Sequence, residues 1–286
     1  MTPKTIKLIA DGGSTKVDWV AVDTSTGRIV QRMTTPGLNP AVDSDAVVGE
    51  RLNNLAAALP AEKWNVESVG YYGAGVMSDA TRERVTRPLR ELFPGAEVTA
   101  DSDMLGAARA LCGNRAGIVG ILGTGSNSCL YDGESIAGRV PPLGFILGDE
   151  GSGAVIGRAL VASVLKGYAT QRVIEAFTQE FPGVDVAGAV EHVYRMPSPN
   201  VWLASFVPFI ARNRERFPEL SSMVADQFRL FIERCIMPLR DDRQLPVSFT
   251  GSVARVFASE LRSVCFAAGF EPAAIVGAPL DAINLN

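Results

Sequence analysis

Residues 6–23 read Ile6-Lys7-Leu8-Ile9-Ala10-Asp11-Gly12-Gly13-Ser14-Thr15-Lys16-Val17-Asp18-Trp19-Val20-Ala21-Val22-Asp23. Two apolar runs flank a turn that contains an acid, two glycines, two hydroxyl residues and a lysine, which predicts a β-hairpin. Glycines let the backbone approach an anion, while hydroxyl and backbone N–H groups donate to it. The tip, 12–16, is therefore a candidate phosphate loop, and the Asp11 carboxylate is a candidate magnesium ligand. A plain Asp-Gly-Gly turn without a ligand fits the same residues.

The second half of the chain repeats this pattern. An apolar run at 117–122 is followed by Gly123-Thr124-Gly125-Ser126-Asn127 and by a second strand-like run at 128–131. In both halves a turn and a third strand-like stretch come next. A device that occurs twice indicates a duplicated lobe, and we expect the two hairpin tips to face each other across a cleft and to hold one polyphosphate.

Composition narrows the functional class. The chain has 286 residues, of which 47% are hydrophobic and 20% are charged, as in an α/β protein without long disordered tails. The net charge is −4 and no basic run occurs, which argues against nucleic-acid or membrane-surface binding. Because no signal-peptide pattern and no apolar run of about 18 residues is present, we expect a cytoplasmic protein.

Cysteine and histidine usage gives no metal site. The four cysteines are far apart and are expected to be reduced and buried, without a role. The single histidine, His192, has no second ligand at metal-binding spacing, so zinc is disfavoured.

Three candidate positions in the first half lie at loop or strand edges. Asn39 precedes Pro40 ahead of a predicted helix, and its amide could hold a sugar hydroxyl, although Asn before Pro is also a common turn starter. The small residues Gly73-Ala74-Gly75 end a predicted strand and leave room for a ligand. Asp101 and Asp103 open the next helix, where a carboxylate can be a cap or a catalytic group, and residue types leave both acids open.

The second half adds two further motifs. Gly148-Asp149-Glu150-Gly151-Ser152-Gly153 contains acids and glycines that would not improve a core, which indicates a functional loop. The region 170–239 is predicted to be helical, with an apolar stripe from Val224 to Leu239. Gly251 and Ser252 lie where a predicted strand meets a helix, a position at which they could pack on a nucleotide base or ribose.

Four motifs together resemble the BadF/BadG/BcrA/BcrD ATPase family of the actin, Hsp70 and sugar-kinase superfamily, and are most similar to its N-acetylglucosamine kinases. In chain order they are Asp11-Gly12-Gly13-Ser14-Thr15-Lys16, Gly123-Thr124-Gly125-Ser126-Asn127, Gly148-Asp149-Glu150-Gly151-Ser152 and Phe249-Thr250-Gly251-Ser252-Val253-Ala254. The resemblance implies an α/β, two-lobed actin-like ATPase fold built from duplicated ribonuclease H-like domains. The lobes are expected at 1–112 and 113–286, the second with helical additions, and ATP with Mg²⁺ is expected in the cleft.

The resemblance also implies roles for single residues. The two glycine-rich loops would hold phosphate, Asn39 and Asp149 would contact the sugar, and Glu150 would lie beside it. The catalytic aspartate of the family begins a helix three residues before a glycine, so Asp103, which precedes Gly106, matches better than Asp101. The predicted function is an ATP-dependent kinase that acts on the 6-hydroxyl of an amino sugar, with N-acetylglucosamine as the first candidate.

Alternatives stay open at this point. A Pro-Pro-Leu-Gly-Phe stretch at 141–145 stands where vertebrate-like relatives carry a tryptophan, so the sugar could instead be glucosamine or N-acetylmuramic acid. A regulatory ATP-binding switch would keep the fold without the sugar. An iron–sulfur activator is disfavoured because the cysteines are scattered. A homodimer is also open, and the motif of P-loop ATPases does not occur.

Overall fold

The computed structural model describes residues 3–13, 16–60 and 63–284. These residues fold into two compact units, which are described separately. Unit 1 contains the described residues up to 114 together with 278–284, and unit 2 contains residues 115–277.

Unit 1 is built on a five-stranded mixed sheet with the order β3-β2-β1-β4-β5. The strands are β1 (Lys4–Gly12), β2 (Lys16–Asp23), β3 (Ile29–Pro36), β4 (Trp64–Gly73) and β5 (Glu97–Ser102). β1, β2 and β3 are antiparallel neighbours, as the hairpin pattern predicts, whereas β4 and β5 run parallel to β1.

Unit 2 repeats this sheet. Its strands are β6 (Gly117–Leu122), β7 (Ser126–Tyr131), β8 (Ile136–Arg139), β9 (Val247–Thr250) and β10 (Ala274–Val276). Their order is β8-β7-β6-β9-β10, with the same antiparallel and parallel pairings as in unit 1. The predicted duplication of an α/β lobe is therefore confirmed.

The helices of unit 1 cover the sheet with apolar stripes. They are α1 (Asp45–Ala58), α2 (Asp79–Leu92) and α3 (Asp103–Cys112). The predicted stripe on α1 is buried, with Val48 and Leu55 inaccessible to solvent. α2 is continuous through Pro88. Burial of the neighbouring Leu89 in the core offsets the backbone hydrogen bond that proline removes.

The C-terminal segment belongs with unit 1. Pro279–Asn284 forms a 3-10 turn, and Leu280 packs in a small apolar cluster with Val20 and Val22 of β2. The expected lobe boundaries, 1–112 and 113–286, place this segment in the second lobe. It returns to unit 1 because the face of β2 that carries these two valines offers an apolar surface on which Leu280 is buried.

The helical part of unit 2 is more interrupted than predicted. Its helices are α4 (Gly144–Leu147), α5 (Gly153–Leu165), α6 (Gln171–Glu180), α7 (Val186–Tyr194), α8 (Pro199–Ala204), α9 (Val207–Asn213), α10 (Pro218–Phe231), α11 (Ser252–Val256) and α12 (Ala258–Ala267). The stripe expected from Val224 to Leu239 is regular α-helix only to Phe231. It continues as a π-helical turn, Ile232–Ile236, and a 3-10 turn, Met237–Leu239.

An aromatic cluster lies in the core of unit 2. Phe206 and Phe209 are buried and pack against Phe177, the first with a tilted ring and the second edge to face. His192 stacks on Trp202 with the ring centroids 4.7 Å apart, so the single histidine takes part in side-chain packing. Within the part of the chain that the structure describes, no helix is both long and apolar enough to cross a membrane.

Candidate active site

Two partly buried carboxyl groups mark the candidate catalytic region of unit 1. Asp11 lies near the end of β1, and Asp103 is the first residue of α3, directly after β5. Burial, followed by the negative charges of Asp103 and Asp18, raises the pKa of Asp11 to about 7. Burial also raises the pKa of Asp103, although the N–H of Met104 donates to its Oδ1 at 2.8 Å and opposes the shift. Carboxyl groups perturbed in this way are typical of functional sites.

Local sequence explains why Asp103 stands where it does. Ser102 caps α3, since its Oγ accepts a hydrogen bond from the N–H of Leu105 at 3.3 Å. One turn into the helix, a Cβ on Gly106 would overlap the Cβ of Tyr72 on β4. The glycine therefore lets α3 lie directly on β4, which fixes the start of the helix and the carboxyl group that it carries.

Asp101 has a different environment from Asp103. It lies in β5, and its Oδ1 is 3.2 Å from a guanidinium nitrogen of Arg82. The same arginine donates through Nε to the carbonyl of Ala100 at 2.8 Å. Asp101 thus belongs to an ion pair that ties β5 to α2, and the geometry favours Asp103 as the catalytic candidate.

The first glycine-rich loop is described in part. Ser14 and Thr15, predicted to bind phosphate, lie outside the described residues. The N–H of Gly13 donates to the carbonyl of Lys16 at 2.9 Å and closes the hairpin. A Cβ on Gly12 would overlap the hydroxyl of Tyr71, so this glycine permits close packing behind the loop.

Asp18 is a charged neighbour that the sequence analysis missed. It pairs in register with Asp11 across β1 and β2, its Oδ2 is 2.5 Å from Nζ of Lys16, and its Oδ1 accepts from the hydroxyl of Thr34 at 2.8 Å. Lys16, a predicted phosphate ligand, is thus paired with Asp18. The signal was available, since residues at equal distances from a hairpin turn face each other.

The donor set around Asp11 is compatible with Mg²⁺. The described residues contain no group of three or more His, Cys, Asp or Glu side chains placed to hold a metal ion. Mg²⁺, however, is usually held by one or two carboxylates together with phosphate oxygens and water. A half-buried Asp11 carboxyl that faces the charges of Asp103 and Asp18 would be stabilised in its ionised form by a cation.

Asn39 and the 73–75 segment, both predicted to lie at the substrate, are neighbours. A Cβ on Gly75, whose φ is +81°, would overlap Oδ1 of Asn39. That oxygen also accepts from the N–H of Ala41 at 3.0 Å, which is the turn geometry of an Asn before a proline. The N–H of Ala74 donates to the carbonyl of Gly12 at 2.8 Å, while a Cβ on Gly73 would overlap the Tyr71 ring. The segment therefore connects Asn39 to the first loop.

Unit 2 contains a cavity of about 340 Å³ at the second glycine-rich loop. Three residues that were predicted to bind nucleotide, Gly123, Thr124 and Ser252, line it together. The rest of the wall is mostly apolar: Gly153, Ala204, Val207, Pro208, Ala211, Arg212, Val253 and Val256. Polar backbone at one end and apolar side chains along the wall suit a phosphate group joined to a flat base.

Gly251 shapes the neighbourhood of this cavity. Its φ is +113°, and a Cβ would overlap the carbonyl oxygen of Leu122. Only a residue without a side chain lets the start of α11 approach β6 so closely.

Two other predicted residues of the second loop, Ser126 and Asn127, line a different cavity. Gly125 lies beside Asp149, because a Cβ there would be 3.1 Å from Asp149 Oδ2. A cavity of about 100 Å³ is lined by polar residues and by an apolar edge. The polar residues are Ser126, Asn127, Ser128, Asp149, Glu150, Arg234 and Cys235. We call this cavity the acidic pocket. Ser126 and Asn127, predicted as nucleotide ligands, thus lie with residues predicted to contact the sugar.

The electrostatics of the acidic pocket depend on neighbouring charges. Asp149 has a left-handed backbone with φ of 54°, and burial and the charge of Glu150 raise its pKa, opposed by a hydrogen bond from the N–H of Ser126. Glu150 forms an ion pair with Arg234, in which Nη1 and Oε1 are 3.0 Å apart. The Sγ of Cys235 is 3.9 Å from Glu150 Oε2, and burial and this carboxylate raise the pKa of the thiol to about 12.

Comparison with known proteins identifies the family. A candidate N-acetylglucosamine kinase from Porphyromonas gingivalis is 38% identical to this chain over 97% of each chain, with a TM-score of 0.86. The chain belongs to its family of actin-like sugar kinases. A candidate N-acetylglucosamine kinase from Chromobacterium violaceum shares the fold at 19% identity, with a TM-score of 0.74 over 99% of this chain and 98% of the other.

A more distant sugar kinase also shares the fold. This ROK family glucokinase from Streptomyces griseus, solved in complex with glucose and AMPPNP, is 18% identical over 98% of each chain, with a TM-score of 0.54. No protein-family model and no curated protein matches the sequence. For this chain, the predicted fold and superfamily are confirmed. The roles assigned to single residues stay predictions.

Proposed function

We propose that the protein is an ATP-dependent kinase that phosphorylates the 6-hydroxyl of an amino sugar, with N-acetylglucosamine as the first candidate. The observation that carries the proposal is the pair of partly buried carboxyl groups with raised pKa, Asp11 and Asp103, in a chain of the sugar-kinase family. The family supplies the reaction class, and the pair supplies a base and a cation ligand. The name of the 38% identical relative supports the choice of sugar.

Asp103 is the proposed general base. Phosphoryl transfer needs an aligned nucleophile, neutralised phosphate charge and little covalent chemistry from the protein. A carboxyl group whose pKa is raised by burial holds a proton more readily than a solvated one, so it accepts the proton of a sugar hydroxyl more effectively. Its place at the start of a helix anchored on β4 keeps it oriented.

ATP binding is proposed at the cavity of unit 2. Gly123 and Thr124 would donate to phosphate oxygens, while Val207, Pro208 and Val256 would contact the adenine. The AMPPNP bound to the glucokinase of the same fold supports this choice of cofactor. Asp11 would hold Mg²⁺, which neutralises phosphate charge when bound.

Asn39 of unit 1 and Asp149 of unit 2 are each a proposed sugar ligand. Both side chains are held in defined turns: Asn39 against Gly75, and Asp149 by the N–H of Ser126. Hydrogen-bonding side chains that are pre-oriented in this way suit the recognition of sugar hydroxyl groups.

The decisive experiment measures ADP release with N-acetylglucosamine, glucosamine, N-acetylmuramic acid and glucose for wild type, Asp103→Asn and Asp101→Asn. We expect turnover with at least one amino sugar, and a loss of kcat of at least about 100-fold in Asp103→Asn. Calorimetry with magnesium and ATP should show that the Asp103→Asn variant still binds ATP. Asp101→Asn is the matched control, because it neutralises an acid two residues away that is engaged with Arg82.

Two results would contradict the proposal. Full activity of the Asp103→Asn variant would show that Asp103 is not the general base. ATP binding without turnover on any of the four sugars would favour the regulatory switch over the kinase.

A further inference from the structure

The acidic pocket of unit 2 carries two carboxylates and one guanidinium. Asp149 and Glu150 are adjacent, and Arg234 reaches Glu150 from the π-helical turn Ile232–Ile236. In this ion pair the side chain of Glu150 is 16% exposed, whereas that of Arg234 is 58% exposed. The carboxylate is thus enclosed while its partner extends from outside, so Arg234 acts as a removable counter-charge.

Among the described residues that line the pocket, no other carries a positive charge that could replace Arg234. The remaining lining residues are apolar or uncharged: Ser126, Asn127, Ser128, Val140, Pro141, Pro142, Leu143, Leu147, Gly148 and Cys235. Cys235 contacts Glu150, but its thiol stays neutral at physiological pH because its pKa is raised. The charge of the pocket therefore depends on whether Arg234 is present.

We infer that Arg234 sets the charge preference of the acidic pocket, so that the enzyme favours an uncharged N-acylated amino sugar over one with a free ammonium group. The inference rests on the proposed function, in which Asp149 and Glu150 lie at the sugar. With Arg234 in place, Glu150 is neutralised and attracts an ammonium group only weakly. Without Arg234, the pocket would carry two uncompensated carboxylates. These would attract an ammonium group but would add no electrostatic attraction for a neutral acylamide.

The π-helical turn is the structural basis of this arrangement. Arg234 and Cys235, the two residues that contact Glu150, both lie on it. The hydroxyl of Ser128 on β7 donates to the carbonyl of Cys235 at 2.8 Å, which ties the turn to the second hairpin. Interruptions of this kind are frequent at functional sites.

The test compares kcat/KM for glucosamine and N-acetylglucosamine at about pH 7, where an amine is largely protonated. In Arg234→Gln, we expect the ratio of glucosamine to N-acetylglucosamine to rise by about tenfold relative to wild type. Arg234→Lys should stay near the wild-type ratio, and the double variant Arg234→Gln/Glu150→Gln should return towards it. Glu150→Gln alone leaves a cation unpaired, so the ratio should fall.

Arg229→Gln is the matched control. Arg229 is an exposed arginine near the end of α10, paired with Asp226 and absent from the lining of the acidic pocket. Its variant should leave both kcat/KM values unchanged, and the KM for ATP should be unchanged in all single variants.

Outcomes separate this inference from the proposed function. A wild type that phosphorylates no amino sugar overturns the proposed function and the inference with it. A wild type that is active, with a ratio in Arg234→Gln within about twofold of its own, overturns the inference alone. Should Arg234→Gln not fold, a ratio unchanged in Glu150→Gln has the same meaning.

Discussion

At the scale of the residue, Asp11 links stability to pH. Its pKa is about 7 in the folded protein against an ordinary value of 3.8, so the folded state keeps a proton that the unfolded state releases at lower pH. The unfolding free energy therefore falls as the pH rises from about 4 to about 7. An amide cannot ionise, so Asp11→Asn should remove this loss. Between pH 5 and pH 8 we expect wild type to lose about 2 kcal/mol more than the variant.

This prediction is measured by urea unfolding at both pH values. Trp19 and Trp64 lie in unit 1, so both proteins can carry Trp202→Phe to confine the tryptophan fluorescence to that unit. Asp101→Asn serves as the control, because it removes a neighbouring acid of unit 1 that is paired with Arg82. Equal losses in wild type and Asp11→Asn would show that the Asp11 carboxyl is not perturbed.

At the scale of the element, α3 depends on a single glycine. A side chain at Gly106 would overlap Tyr72, so Gly106→Ala must push the helix away from β4 and move Asp103. We expect unit 1 to lose about 2 kcal/mol of unfolding free energy and kcat to fall by about 100-fold. Gly49→Ala in α1 is the matched control, since a Cβ there would meet no atom of another described element within 4 Å. It should leave kcat unchanged and raise stability by about 0.5–1 kcal/mol.

The failure of this prediction would be clear in the kinetics. Normal kcat in Gly106→Ala would mean that α3 does not set the position of the catalytic group. A loss of kcat in Gly49→Ala as well would point to a general sensitivity of helices in unit 1.

Elements also show what the sequence could and could not predict. Both hairpins and the stripe of α1 follow from local patterns, and the structure contains them. The cap of α3 is Ser102, which lies between the two acids that were the predicted cap candidates, Asp101 and Asp103. The partner of Glu150 did not follow, because an apolar stripe of period 3.6 looks the same whether the chain continues as an α-helix or opens into a π-helical turn. Arg234 was therefore missed as a partner of Glu150. It is 84 residues away along the chain, although the two side chains are in direct contact.

At the scale of the whole molecule, the sequence predicted the duplication of the lobe but not the position of the C-terminal segment. Two sheets of identical order follow from two identical hairpin patterns, whereas Leu280 lies at the end of the second half in sequence and packs on β2 of unit 1. One buried leucine in a short segment carries no periodic signal. Its destination is set by the valines that it covers.

The C-terminal segment gives the last prediction, because its effect should be confined to one unit. Leu280 is 4% exposed and contacts the face of the sheet that also carries Ile9, so Leu280→Ala should cost about 3 kcal/mol in unit 1. Hydrogen–deuterium exchange should become faster in peptides from β1 and β2 and stay unchanged in those from β6 and β7. Leu143→Ala, which truncates a leucine that is 59% exposed, is the control and should change neither set. Faster exchange in both units would show that the segment stabilises more than the unit on which it packs.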